Sequence, residues 1–171
     1  MDNLKELNKE ELIKLVKEHK ITPADFTDSG ICPTCFDKEN NNILYGKDEN
    51  RLLYEDEYIE CFLVGNPRCE GHTAISTKKH FKDMMELDDE TCIKVFTFSK
   101  KMMNLIKEVY NSESVYLCTM CDGPMNHFHV QLIPRYSYEK RGSKNFVKPR
   151  NEYKEDKEKI EELKQRLSKY K

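Results

Sequence analysis

The sequence predicts an α+β fold built around an antiparallel sheet. Three features carry that expectation. Short runs of β-branched and aromatic residues, separated by tight turns, fill residues 43–77, the pattern of short strands. One long stretch, residues 89–110, repeats apolar residues every three or four positions, the period of a helix packed on one face. Two more strand-like runs follow with short connections, and short connections join antiparallel rather than parallel strands.

The elements follow in order. Leu4, Leu7, Leu12, Leu15 and Val16 repeat at helical spacing, which predicts an amphipathic helix over residues 3–19. Thr22-Pro23-Ala24-Asp25 pairs an N-cap with proline at the first helical position, and Ser29-Gly30 ends that turn. A polar loop, residues 37–42, follows Cys32-Pro33-Thr34-Cys35-Phe36. Ile43–Tyr45, Leu52–Tyr54 and Tyr58–Val64 read as strands, with turns at residues 46–50 and 55–57. Asn66-Pro67 breaks the last of these, and His72–Thr77 forms another. The long helix starts at a cap, Asp88 or Asp89, and buries Cys92, Val95, Phe96, Met102, Met103, Ile106, Val109 and Tyr110. Strands at Ser114–Met120 and Asn126–Pro134 flank the connection Cys121–Met125. Ile160, Leu163 and Leu167 make a thin stripe on a final charged helix.

Composition narrows the class. A chain of 171 residues is long enough to bury a core without disulfide staples. Its charged share is 35%, above the usual ~25%, and its mean hydropathy is −0.83. No apolar run reaches the roughly 18 residues of a membrane helix. Residues 1–15 lack the uninterrupted apolar stretch of a secretory signal, so a cytoplasmic protein that does not engage membranes is expected. The net charge of −2 is uneven: residues 137–171 hold 12 Lys and Arg against 7 Asp and Glu, a net of +5, which leaves −7 for the rest. An acidic body argues against general nucleic-acid binding. The basic tail reads as a solvated helical segment, although Arg135, Lys140, Arg141, Lys144 and Lys148 also suit an anionic ligand. The seven cysteines, an odd number with no export signal, read as reduced thiols.

The chemistry concentrates in Asn126-His127-Phe128-His129-Val130-Gln131-Leu132-Ile133-Pro134. Side chains alternate along a strand. His127, His129 and Gln131 therefore share one face, about 7 Å apart, and Phe128, Val130 and Leu132 take the other. Such a face fits a metal chelate, a reactive histidine or a solvent-exposed surface. Cys32 and Cys35 have the spacing of a zinc half-site, with packed thiols and a redox pair as the alternatives. Zinc needs two further ligands, and the candidates are His19, His72, His80, His127 and His129.

These segments together resemble the histidine triad (HIT) superfamily. The resemblance is carried by Ile31–Phe36, Leu53–Glu57, Asn66-Pro67, Gly71–His80 with its Lys-Lys-His ending, and His127–Arg135, in the family's order. It implies a five-stranded antiparallel sheet with one long helix, commonly in a homodimer. It divides the chain into an N-terminal helical extension (1–30), a HIT-like catalytic domain (31–136) and a basic C-terminal tail with a helix (137–171). Carried over residue by residue, it implies a structural Zn2+ on Cys32, Cys35, His80 and His127, which would fix the start of the strand that carries His129. It makes His129 the nucleophile toward the α-phosphorus of a nucleoside phosphate. Gln131 would donate to a phosphoryl oxygen, with Gly123 and Asn126 as further substrate-binding positions; Asn126 serves equally well to hold its loop. The implied function is a nucleotidyl hydrolase or transferase acting on dinucleoside polyphosphates or nucleotide sugars through a nucleotidyl-histidine. The alternatives are a nucleotide-binding module with structural zinc and no turnover, and a metalloenzyme in which His127 and His129 share a catalytic metal. Two positions depart from the family pattern. Gln131 stands where hydrolases keep a third histidine, and Val64 stands where an acidic residue grips the ribose. His72, in the Gly-His pair, reads equally as a structural histidine and as a ligand.

Overall fold

The computed structural model describes residues 4–46, 50–121, 123, 125–142, 144, 147–152 and 154–170. The described residues divide into two compact units. One is drawn from Met1–Asp48, His80–Glu86 and Cys121–Phe128, the other from Glu49–Lys79, Leu87–Met120 and His129–Lys171. Residue 3, where the expected first helix begins, residues 47–49 of the expected turn, and residues 122 and 124 of the Cys121–Met125 connection lie outside the described residues.

The first unit is helical. Helix α1 (Lys9–Lys17) opens on a capping box, in which Asn8 and Glu11 satisfy each other's backbone N–H groups. Helix α2 (Pro23–Asp28) starts at the expected proline. The Asp25 carboxylate accepts from both the N–H and the hydroxyl of Thr22, at 2.7 Å each. Helix α3 (Pro33–Glu39) begins inside the Cys-x-x-Cys segment, with Cys32 as its N-cap. The polar loop expected from residue 37 is thus partly helix. Leu4, Leu12, Val16, Phe26 and Phe36 form the core here, with the Phe26 and Phe36 rings 4.5 Å apart. Ile43–Tyr45, expected as a strand, is a turn. The buried Asp37 carboxylate takes the N–H groups of Leu44 (2.6 Å) and Tyr45 (3.2 Å), so neither joins a ladder.

The second unit holds a five-stranded antiparallel sheet: β1 (Leu52–Glu55), β2 (Ile59–Leu63), β3 (Thr73–Thr77), β4 (Ser114–Cys118) and β5 (His129–Arg135), in the order β1-β2-β3-β5-β4. Helix α4 (Asp89–Val109) follows its cap Asp88, whose carboxylate accepts from Thr91 N–H at 2.8 Å. It packs on β3, β4 and β5. Its buried stripe is Val95, Phe98, Met102, Leu105 and Ile106. Phe98 and Leu105 replace the half-buried Phe96 and Met103, a rotation of the face that the apolar period alone did not fix. Pro134 is tolerated in an interior strand because β3 pairs with β5 only as far as Leu132, so no ladder bond is missing at its nitrogen.

Residues 157–167 form helix α5, and it is not a solvated tail. Ile160, Leu163 and Leu167 are buried, and the helix packs on α4 and β1. The stripe is thin because the chain offers only these three apolar positions, yet each one is used. Burying side chains of this size contributes roughly 1.5–3 kcal/mol each. Leu163→Ala should therefore destabilise the protein by about 2–5 kcal/mol. Urea unfolding would show it, and an unchanged midpoint would return the helix to the status of an appendage.

Candidate metal centre and histidine site

The metal-ligating cluster is built at the N-terminus of α3. Pro33 at the first helical position and the extended backbone of Cys32 start the helix between the two cysteines. Cys35 N–H then donates to Cys32 Sγ at 3.5 Å, which turns both sulfurs to the same end. Two further hydrogen bonds bring the histidines together: Phe128 N–H to the Phe81 carbonyl (2.7 Å) and the Asn126 side-chain amide to the Lys82 carbonyl (2.6 Å). They join residues 80–82 to residues 126–128. The His80 and His127 rings meet edge to face with centroids 5.3 Å apart. Asn126 thus has the loop-holding contact of its two expected roles.

These same bonds account for a difference from the sequence reading. The strand was expected from Asn126, yet β5 begins at His129, because Phe128 N–H is spent on Phe81 rather than on a ladder. His127 therefore stands with the cysteines, while His129 and Gln131 stand on the sheet.

The donor atoms fit a metal ion. The ligand atoms of Cys32, Cys35, His80 and His127 lie within 4.8 Å of one another. Cys35 Sγ is 3.3 Å from His80 Nδ1 and 3.4 Å from His127 Nδ1, and Cys32 Sγ is 3.6 Å from His127 Nδ1. Tetrahedral zinc with its usual Zn–S and Zn–N bonds sets sulfur and nitrogen about 3.6 Å apart. The set holds two sulfurs and two imidazoles with no carboxylate, a preference for a soft or borderline cation. Burial, aided by the Cys32 thiol, pushes the Cys35 thiol up to about 12, and binding a dication is what reverses such a shift. His19, His72 and His129 are outside the cluster.

The second constellation lies on the sheet. Antiparallel pairing aligns Ala74 with Gln131 and Ser76 with His129, so His72, two residues before Ala74, extends the same face. His72 Nδ1 accepts the backbone N–H of Arg68 at 3.1 Å. Its other nitrogen therefore carries the proton and donates to Gln131 Oε1 at 3.0 Å. With its oxygen engaged, Gln131 turns its NH2 toward His129 Nε2, at 3.4 Å. The chain Arg68–His72–Gln131–His129 thereby assigns the lone pair of His129 to Nε2. His72 and Gln131 are buried and His129 is half-buried. Burial, with the charges of Arg150 and Arg68, brings His72 down to about 4 despite the Gln131 contact, which keeps the ring neutral at physiological pH. The loop that presents His72 is tightly held. Gly71 has φ +74° and a Cβ there would lie 2.9 Å from the Tyr110 ring, so glycine is required. Tyr136 hydroxyl donates to the Glu70 carbonyl at 2.8 Å.

Val64 N–H donates to the His72 carbonyl at 3.0 Å, and its side chain carries no hydrogen-bonding group. Gly123 is half-buried, with nothing within 4 Å of where a Cβ would sit. Sequence reasoning left His72 undecided and gave no role to Arg68 or Arg150. Only the β3–β5 register identifies His72 as the partner of Gln131.

A five-stranded antiparallel sheet with a long helix, and histidine and glutamine side chains two residues apart on its strand β5, define a histidine triad fold. The HIT domain family model matches residues 46–138, and the chain belongs to that family. An uncharacterised HIT-like protein of Methanocaldococcus jannaschii is 30% identical over 97 residues, 55% of this chain and 75% of the relative. Among solved structures, a hypothetical histidine triad nucleotide-binding protein of Sulfolobus tokodaii superposes with a TM-score of 0.57 at 25% identity, covering 81% of this chain and 90% of that one. A zinc-bound histidine triad family protein of Mycobacterium smegmatis gives 0.62 at 18% identity, covering 81% and 94%. Among the described residues, no helix is long and apolar enough to cross a membrane.

The burial of His72 has a pH signature. An unfolded histidine titrates near 6.5, and the folded ring titrates near 4. The stability gained from keeping it neutral is complete above about pH 6.5 and is lost as pH falls toward 4. Between pH 7 and 4.5 the wild type should lose roughly 2–3 kcal/mol more than His72→Gln. Denaturant unfolding at both pH values measures this, and equal losses would remove the buried neutral imidazole from the account.

Proposed function

We propose that this protein is a nucleotidyl hydrolase or transferase that acts on nucleoside phosphates through a covalent nucleotidyl-His129. The observation that carries the reading is the hydrogen-bonded series from His72 through Gln131 to His129 Nε2. It presents an unprotonated imidazole nitrogen with an amide donor beside it. In the first step the Nε2 lone pair attacks the α-phosphorus. An N–P bond forms, the P–O bond to the leaving group breaks, and the leaving group departs with the electron pair. In the second step water, which loses a proton to solvent, or a phosphate oxygen attacks the same phosphorus; a P–O bond forms, the N–P bond breaks, and its electron pair returns to Nε2 as the imidazole leaves. The Gln131 N–H donates to the phosphoryl oxygen on which negative charge grows, an interaction typically worth 10²–10³ in rate. Family membership supports the chemistry, and the nucleotide-binding description of the S. tokodaii protein supports the substrate class.

Gln131 has no acidic proton to give. Leaving groups that are stable as anions are therefore preferred, such as the phosphates of a dinucleoside polyphosphate or a sugar phosphate. Cys32, Cys35, His80 and His127 would hold a structural Zn2+, as their donor chemistry and the zinc-bound M. smegmatis relative support. With four protein ligands such an ion contributes folding free energy. A homodimer in the cytoplasm completes the proposal.

Incubation with a nucleoside triphosphate or dinucleoside polyphosphate labelled at the α-phosphorus should leave an acid-labile label on His129 that disappears in His129→Ala. A wild type that stays unlabelled, or a variant labelled equally, overturns the covalent route. Tight nucleotide binding with no product over hours selects the non-catalytic binding module, which the valine at position 64 favours. For the metal, Cys32→Ser should abolish zinc retention in elemental analysis and lower the unfolding midpoint. Equal stability with no metal in either protein removes the zinc assignment.

A further inference from the structure

The basic C-terminal segment does not run into solvent after β5. Residues 148–151 lie along the loop that precedes His72. The Arg68 guanidinium donates to the Lys148 carbonyl at 2.6 Å, the Arg150 guanidinium donates to the Asn66 carbonyl at 2.8 Å, and Asn151 N–H donates to the Pro67 carbonyl at 2.8 Å. Three hydrogen bonds over three consecutive loop residues fix both guanidiniums beside the backbone that binds His72 Nδ1.

Their electrostatic setting differs from that of other arginines in the chain. Arg135 and Arg141 meet Glu113, and Arg166 meets Glu108 and Glu162. Arg68 and Arg150 meet no carboxylate within ion-pair distance among the described residues. Partial burial, and after it the charge of the neighbouring Arg68, holds Arg150 below the ordinary guanidinium range. Both charges also reach His72. That of Arg68 reaches Cys118, which pairs with Gln131 across β4 and β5 and so shares its face. The Arg68 Nε is buried with no hydrogen-bond partner among the described residues. Like charges held together without a counter-anion are a cost that an anionic ligand removes. Guanidiniums in particular match phosphate oxygens in pairs.

We propose that Arg68 and Arg150 form a polyphosphate subsite next to the His72–Gln131–His129 series, which holds the phosphates beyond the one attacked. The subsite deepens the nucleotidyl-transfer reading and rests on it for the identity of the substrate. It favours nucleoside polyphosphates with two or more phosphates in the leaving group over nucleotides whose leaving group is uncharged. The C-terminal segment then acts in specificity: it brings Arg150 in from more than 75 residues along the chain and pins Arg68 through the Lys148 carbonyl.

Inorganic tripolyphosphate is the probe, because its binding requires no turnover. Calorimetry on the full-length protein should show saturable binding that weakens at least tenfold in Arg150→Gln and in Arg68→Gln, and less in Arg68→Lys. Arg141→Gln, which removes a charge of the same tail that is paired with Glu113, should bind as the wild type does. Arg150 is the more exposed of the two, and Arg150→Lys, which keeps the charge, should retain more of the affinity than Arg150→Gln, which separates the charge from the bond to the Asn66 carbonyl. Unchanged affinity in Arg150→Gln, or an equal loss in Arg141→Gln, overturns the subsite and leaves the arginines as braces for the loop. If tripolyphosphate binds through these arginines but no label reaches His129, the subsite stands and the covalent reading fails. If the label forms and the Arg150→Gln affinity is unchanged, the reverse holds.

Discussion

The hydrogen bond between His72 and Gln131 is the constraint on which the candidate site depends. A buried imidazole with one nitrogen already filled by a backbone N–H has a single way to satisfy the other, which is to donate. Its acceptor must be an oxygen, so the Gln131 amide cannot flip. The NH2 end is then directed toward His129 Nε2, which accepts. Each link is short and local, yet the whole requires that β3 and β5 pair in one register. A slip of one residue would turn His72 and Gln131 to opposite faces. The residues that hold the register are apolar and fully buried: Ile75 opposite Val130, and Leu132 beside them. Hydrophobic packing of the paired strands thus sets which nitrogen of His129 accepts.

The cysteine and histidine cluster solves a different problem with equally ordinary means. Helix initiation at Pro33 gathers two sulfurs, and two backbone-directed hydrogen bonds gather two rings. Nothing in the arrangement depends on long side chains finding each other by chance. Each donor is placed by its own main chain, which suits a cation whose ligands must converge within tenths of an ångström.

Much of this was legible in the residues. The strands β1, β2, β3 and β4, the cap at Asp88 and the proline start of α2 are local signals, and local signals survive folding. Cys-x-x-Cys and His-x-His announced themselves by spacing. What escaped was whatever depends on partners distant in the chain. Ile43–Tyr45 has strand-forming residues, but Asp37 captures its N–H groups. His127 sits in an alternating pattern, but Phe81 claims the backbone beside it. His72 was ambiguous because a single sequence does not state which strand it faces. The charge of the tail suggests a solvated segment, whereas Ile160, Leu163 and Leu167 are enough to dock α5.

The glutamine in the third triad position and the arginines near it belong to one argument. An acid at that position would allow departure of a poor leaving group by protonating it. An amide stabilises charge without neutralising it, so in the proposed reaction the departing group would carry its negative charge away. Phosphate and polyphosphate do so readily, whereas amines and simple alcohols do not. A departing polyanion is held best by fixed positive charges, and Arg68 and Arg150 are such charges, unpaired with any carboxylate among the described residues and braced by backbone carbonyls. The loss of proton donation at Gln131 and the supply of guanidiniums by the C-terminal segment therefore point to the same chemistry. On this reading the tail replaces, by electrostatics, what the missing third histidine would have supplied by proton transfer.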